Sequence, residues 1–245
     1  MTTPALVFVA GLATALATGL GAVPFAFRRH DFQQWLGPAN AIAAGVMLGA
    51  SASLLVEGVE RSIGRTVVGA VVGAAFVLVS YRALGDRAKL EFGALRGADA
   101  RAALLIVGVM TLHSAAEGIG VGAAFGDTDT FGLLIAVAIA LHNVPEGLAI
   151  SLVLVPRGTR VRTAAGWSIF SSLPQPLLAV PAFLFVEQFD AVLPAALAFA
   201  AGAMIWMVGR VLLPEALGRA SRRTVVLETA LAFVLMFALQ LRLIA

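Results

Sequence analysis

Two strings of this chain repeat one pattern. HSAAEGIGVG from His113 and HNVPEGLAIS from His142 each place a glutamate four residues after a histidine, with a glycine next. The glutamates are Glu117 and Glu146, and the strings are offset by 29 positions. On a helix, residues i and i+4 share a face one turn apart, so each string aims an imidazole and a carboxylate the same way. Two such helices, antiparallel and joined by a short turn at 126–130, bring four donor groups together. Imidazole with carboxylate suits zinc, iron, manganese, cobalt or cadmium, whereas magnesium and calcium prefer all-oxygen shells. Cysteine is absent, which excludes thiolate ligation and disulfides and leaves nitrogen, oxygen or thioether as donors. Carboxylates can protonate and water can compete, so an ion held this way can also be released. One pair alone also reads as a buried His–Glu hydrogen bond fixing helix register. The repetition favours the metal.

The elements that must position these groups are membrane helices. Of 245 residues 60 % are apolar and 13 % charged, and the mean hydropathy is +0.95. A water-soluble domain is about 45–50 % apolar. The pI near 10.5 could suggest nucleic acid, but the net charge is only +3 and the basic residues form short clusters between apolar stretches, so the partner is the lipid bilayer and not nucleic acid. A span needs roughly 20 apolar residues. Eight segments qualify, near 4–27, 36–59, 64–84, 101–125, 130–155, 163–187, 191–213 and 223–243. The expectation is an all-α, multi-pass protein of the cell membrane, one domain over residues 1–245, with both termini outside. Nothing basic precedes the first span and Arg28 and Arg29 follow it, which argues against a cleavable signal peptide and for an outer N-terminus. The inner connections then hold 14 of the 17 lysines and arginines, leaving Arg61, Arg65 and Arg242 outside.

An ionisable group near the bilayer centre costs about 2.5–3.5 kcal/mol on insertion scales and persists mostly where it is paired and functional. His113, Glu117, His142 and Glu146 all fall there. Pro145 should interrupt the fifth span and free the Leu141 carbonyl beside His142, and Asn143 adds an amide able to ligate the ion or that backbone. Glycines four apart, Gly45 and Gly49, Gly69 and Gly73, Gly118 and Gly122, read as close helix packing. Glu57 and Glu60 close the second span at the outer face, where Arg61 and Arg65 can neutralise them, and Asp127 and Asp129 lie at the outer mouth, where they would draw cations in unless they serve only as polar turn residues. His30, after Arg29, reads as interfacial.

These residues resemble the ZIP family of Zrt- and Irt-like metal transporters, in particular its prokaryotic branch with short loops. The stretch AGVMLGASASLLVEGVE from Ala44 is similar to the family's second span, and AGAMIWMVGRVLLPEA from Ala201 to its seventh. The resemblance implies import of Zn2+, or of Fe2+, Mn2+ or Cd2+, into the cytoplasm by alternating access, through a site between spans four and five, and a homodimer as the assembly. It makes His113, Glu117, His142 and Glu146 the metal ligands, with Met47 a thioether or pathway residue. Family members often have a second, adjacent metal position. Here Ser114 stands where the fourth span usually has asparagine and Gln175 where the sixth usually has glutamate, and Asn143 is neutral, so one metal position is expected. Arg210 and Val211 occupy a stretch where an acidic group is common, and the histidine-rich loop between spans three and four is missing. The alternatives are a metal sensor without transport, or a membrane-embedded metal-dependent hydrolase in which a glutamate serves as base, although HExxH is absent. The first reading is a transporter and not an enzyme.

Overall fold

The computed structural model describes residues 2–27, 33–85 and 97–244. Arg28, Arg29, His30, Arg87, Lys89 and Arg96 lie outside the described residues. The helices run α1 (Pro4–Leu20), α2 (Pro24–Phe27), α3 (Gln33–Arg61), α4 (Ile63–Gly85), α5 (Gly97–Asp127), α6 (Asp129–Leu154), α7 (Val161–Ser172), α8 (Pro174–Gln188), α9 (Leu193–Met207), α10 (Leu213–Arg219) and α11 (Arg222–Ile244). The first expected span is α1 with α2, the sixth is α7 with α8, and the seventh is α9 and α10 joined by a π-helical turn at Val208–Leu212.

Among the described residues, seven segments are long and apolar enough to cross a bilayer, one fewer than the eight expected. The remaining helix, α11, has 23 residues and begins on Arg222 and Arg223, with Glu228 two turns on. Beyond those charges the helix is apolar, and it lies along α3 as a membrane helix would. Added β-carbons at Gly37, Gly45 and Gly49 would meet, in turn, Ala220, Ala232 and Met236. Both sequences advance together, so α3 and α11 run parallel. The same reading makes α5 and α8 parallel, since Gly118 abuts Gln175 and Gly122 abuts Ala179. Alternating spans require these relative directions.

Each glycine pair singled out in the sequence lies at such a contact: a β-carbon at Gly69, Gly73 or Gly122 would collide with the backbone carbonyl of Ala195, Phe199 or Ala179. In a bilayer the hydrophobic effect does not drive helices together, so small residues that permit dense packing do. The outer surface is apolar in turn. Val67, Val71 and Val79 on α4 and Leu231 and Leu235 on α11 are each more than half exposed, a surface that only lipid would cover without penalty.

Two interruptions differ from expectation. α6 continues as one helix through Pro145, and the break falls in the sixth span instead, at Leu173. Pro174 has no N–H to give to the preceding turn, so α7 stops and α8 restarts with Gln175 in its first turn. In α6, helices packed on both sides hold the backbone in register across the proline: Gly147, two residues beyond it, sits directly against the Thr18 carbonyl of α1.

Candidate metal centre

The two histidine strings lie on α5 and α6, which the single residue Thr128 joins. Its hydroxyl caps α6 by accepting from the Phe131 N–H at 3.1 Å, a bond that turns the chain back on itself within one residue. The helices are therefore antiparallel, which sets the first half of one string beside the second half of the other.

The result is a crossed cluster. Nε2 of His142 lies 2.5 Å from Oε1 of Glu117, and Nε2 of His113 lies 3.1 Å from the same oxygen and 3.4 Å from Oε1 of Glu146. One donor atom from each of His113, Glu117, His142 and Glu146 falls within 4.8 Å of the others, and all four side chains are buried. Both oxygens of Glu146 and the Nδ1 atoms of both histidines have no hydrogen-bond partner among the described residues. The 3.4 Å approach of His113 Nε2 is a loose pairing for a buried carboxylate, which leaves Glu146 with capacity for a cation. Two imidazole nitrogens and two carboxylates around one point form a donor set suited to a borderline divalent metal.

A polar network borders Glu117 on its other side. Nε2 of Gln175 donates to Oε2 of Glu117 at 2.6 Å. Oε1 of Gln175 lies 3.0 Å from Nδ2 of Asn143 and 2.6 Å from the Thr14 hydroxyl, and Nδ2 of Asn143 also donates to the Thr14 carbonyl at 2.8 Å. Thr14, Asn143 and Gln175 are all buried. Thr14 was not legible as a site residue, because threonine is common in membrane helices. Its only signal is the i, i+4 spacing with Thr18, whose hydroxyl meets Ser172 at 2.7 Å on the same face.

The other singled-out residues are scattered more widely. Met47 is buried on α3 in the main apolar core, with Ser51 donating to its carbonyl at 2.7 Å. Ser114 is buried beside His113, and its hydroxyl has no partner among the described residues. At the outer end of the bundle, Arg61 forms an ion pair with Asp127, a second with Glu57 at 2.8 Å, and a third with Asp190 at 3.7 Å. Arg61 thus pairs with Glu57, as their spacing suggests, and reaches Asp127 and Asp190 as well. Asp129 stands exposed in the first turn of α6, and Arg210 is exposed in the π turn.

Fold and site together define a polytopic helical membrane protein with a buried two-histidine, two-glutamate cluster between its fourth and fifth spans. Residues 91–240 match the model of the ZIP zinc transporter family, more than half of the chain, and the protein belongs to that family. It is 50 % identical over 213 residues to "Putative zinc transporter At3g08650" of Arabidopsis thaliana, covering 86 % of this chain and 34 % of that protein. It is 30 % identical over 220 residues to "Zinc transporter GufA" of Myxococcus xanthus, covering 84 % of this chain and 87 % of that one. Over 146 residues it is 36 % identical to human "Zinc transporter ZIP11", 57 % of this chain and 42 % of that one. The chain thus spans about a third of the Arabidopsis relative's length and most of the bacterial one's.

Proposed function

We propose that this protein carries a divalent transition-metal ion, zinc first among the candidates, across the cell membrane into the cytoplasm through His113, Glu117, His142 and Glu146. The observation that carries this reading is the crossed cluster itself: four buried ligand groups within 4.8 Å on two antiparallel helices in the middle of a bundle. Membership of the ZIP family and the printed names of the relatives support transport over mere binding. Fe2+, Mn2+ and Cd2+ fit the same donors, and a homodimer in the bilayer, working by alternating access, is the assembly this reading assumes. The arginine bias of the connections supports the orientation of the chain, and the inward direction rests on its family membership together with that orientation.

The chemistry favours a labile site. Imidazole nitrogens and carboxylate oxygens bind protons as well as metal ions, so an incoming ion competes with protons at these groups, and returning protons help release the ion. Glu117, which faces both histidines, is the centre of the set. The test is 65Zn2+ uptake into proteoliposomes by wild type, His142→Ala and Glu146→Ala. Uptake by the wild type alone is the expected result, and equal uptake by all three overturns the reading.

A further inference from the structure

The Gln175 amide stands in the first turn of α8 with Glu117 on one side and Asn143 and Thr14 on the other. Amide oxygen and nitrogen differ in what they can do, and the network decides which points where. The Thr14 carbonyl only accepts, so the group that Asn143 turns toward it at 2.8 Å must be its NH2. That NH2 also faces Gln175 at 3.0 Å, so the Gln175 atom there must be the oxygen, which lies 2.6 Å from the Thr14 hydroxyl as well, a hydroxyl whose single hydrogen is shared with the Gly11 carbonyl at 2.7 Å. The Gln175 NH2 is then forced toward Glu117, 2.6 Å from Oε2. A flipped amide would set oxygen against carboxylate oxygen and NH2 against NH2. A backbone carbonyl of α1 thereby orients a side chain of α8, which in turn orients a carboxylate of α5.

We propose that Gln175 is a positioning residue that fixes Glu117 and limits the centre to a single metal ion, with Thr14 and Asn143 fixing Gln175. This rests on the metal-site reading above. Oε2 of Glu117 is occupied by an N–H, so Glu117 offers the ion one oxygen, Oε1, the one shared by His142 and His113. A second ion bridged by Glu117 would have to bind at Oε2, where it meets the positive face of an amide that has no lone pair to give. The Gln175 and Asn143 oxygens do not provide an alternative: the first faces Thr14 and Asn143, and the second lies 3.4 Å from the Gln175 NH2. Neutral Gln175 therefore does two things that a carboxylate at the same place could not. It holds Glu117 in the orientation that serves one ion, and it removes the charge that would attract another.

The experiment is Cd2+ binding to the purified full-length protein, counted by equilibrium dialysis and by the number of 113Cd NMR resonances, for wild type, Gln175→Glu and Thr14→Val. One bound ion and one resonance are expected for wild type. Gln175→Glu replaces the N–H with a second carboxylate oxygen against Glu117 and should bind two ions with two resonances, a gain that mere structural damage would not produce. Thr14→Val keeps shape but removes the hydroxyl donor, and should still bind one ion, with affinity lowered about tenfold, the low end of losses seen when a group supporting a ligand is removed. Two ions on the wild type, or one on a folded Gln175→Glu, overturns the inference while leaving the metal site standing. Unchanged affinity in Thr14→Val removes Thr14 from it. A wild type that binds no Cd2+ overturns the metal site and this inference together.

Discussion

His142 makes its shortest polar contact with Glu117, 2.5 Å away, and not with Glu146 of its own string. The two strings are read separately along the chain, but the antiparallel pairing of α5 and α6 interleaves them. Glu117 consequently touches both histidines and Gln175, whereas Glu146 has no hydrogen-bond partner among the described residues.

This asymmetry separates the glutamates. Glu117→Ala removes the carboxylate that holds both imidazoles in place and should abolish uptake and weaken metal binding by at least about 100-fold, beyond the usual effect of a supporting group. Glu146→Gln keeps the shape, replaces a buried carboxylate that His113 holds only loosely at 3.4 Å, and should raise the melting temperature of the metal-free protein while lowering metal affinity. Thermal unfolding in detergent, with and without Zn2+, reads both effects.

Binding should release protons. The imidazole nitrogens and carboxylate oxygens that converge here bind protons as well as metal, and the ion competes with those protons. A pH-indicator dye in weak buffer should register about one proton per Zn2+ bound at neutral pH. Uptake should fall as the outer solution is acidified, by up to about tenfold per pH unit where one proton is displaced.

Arg61 sits among Glu57, Asp127 and Asp190 at the outer end and is more than a third exposed. Exposed ion pairs contribute about 0–1 kcal/mol each, so Arg61→Ala should barely alter stability. It should alter approach. Removing the one cation in that cluster leaves a more negative mouth, which concentrates divalent ions, so KM for uptake should drop a few-fold at low ionic strength and return toward the wild-type value in about 0.5 M salt.

Gly147→Ala and Gly166→Ala should behave oppositely. A β-carbon at Gly147 would run into the Thr18 carbonyl of α1, whereas nothing lies within 4 Å of one at Gly166. The first should cost about 1–3 kcal/mol or more through overpacking, and the second should be neutral or stabilising by up to about 1 kcal/mol through helix propensity. Thermal melts of the two variants check this directly.

Much of this protein is legible in one dimension. Apolar runs of about 20 residues identify the spans, because the bilayer leaves a helix no other way to satisfy its backbone. The spacing of His113 with Glu117 and His142 with Glu146 identifies the donors, because helical periodicity is local. The glycine pairs announce close packing for the same reason. α11 is legible in the same way from its apolar residues after Arg223, and its parallel packing along α3 places it with the others.

What the sequence could not supply is everything that depends on which helices meet. Pro145 and Pro174 carry the same backbone defect, yet only the second breaks its span, because neighbours such as α1 at Gly147 hold α6 continuous. Thr14 lies 161 residues from Gln175, and no local pattern ties them. The arginine among the outer carboxylates comes from a different helix than Asp127. Composition and period indicated the solvent, the helices and the four candidate ligands. Tertiary structure alone decided that the strings pair crosswise, that an amide network anchors Glu117, and that Gln175 points its NH2 and not its oxygen at the site, because hydrogen-bond direction is fixed only once every partner is in place.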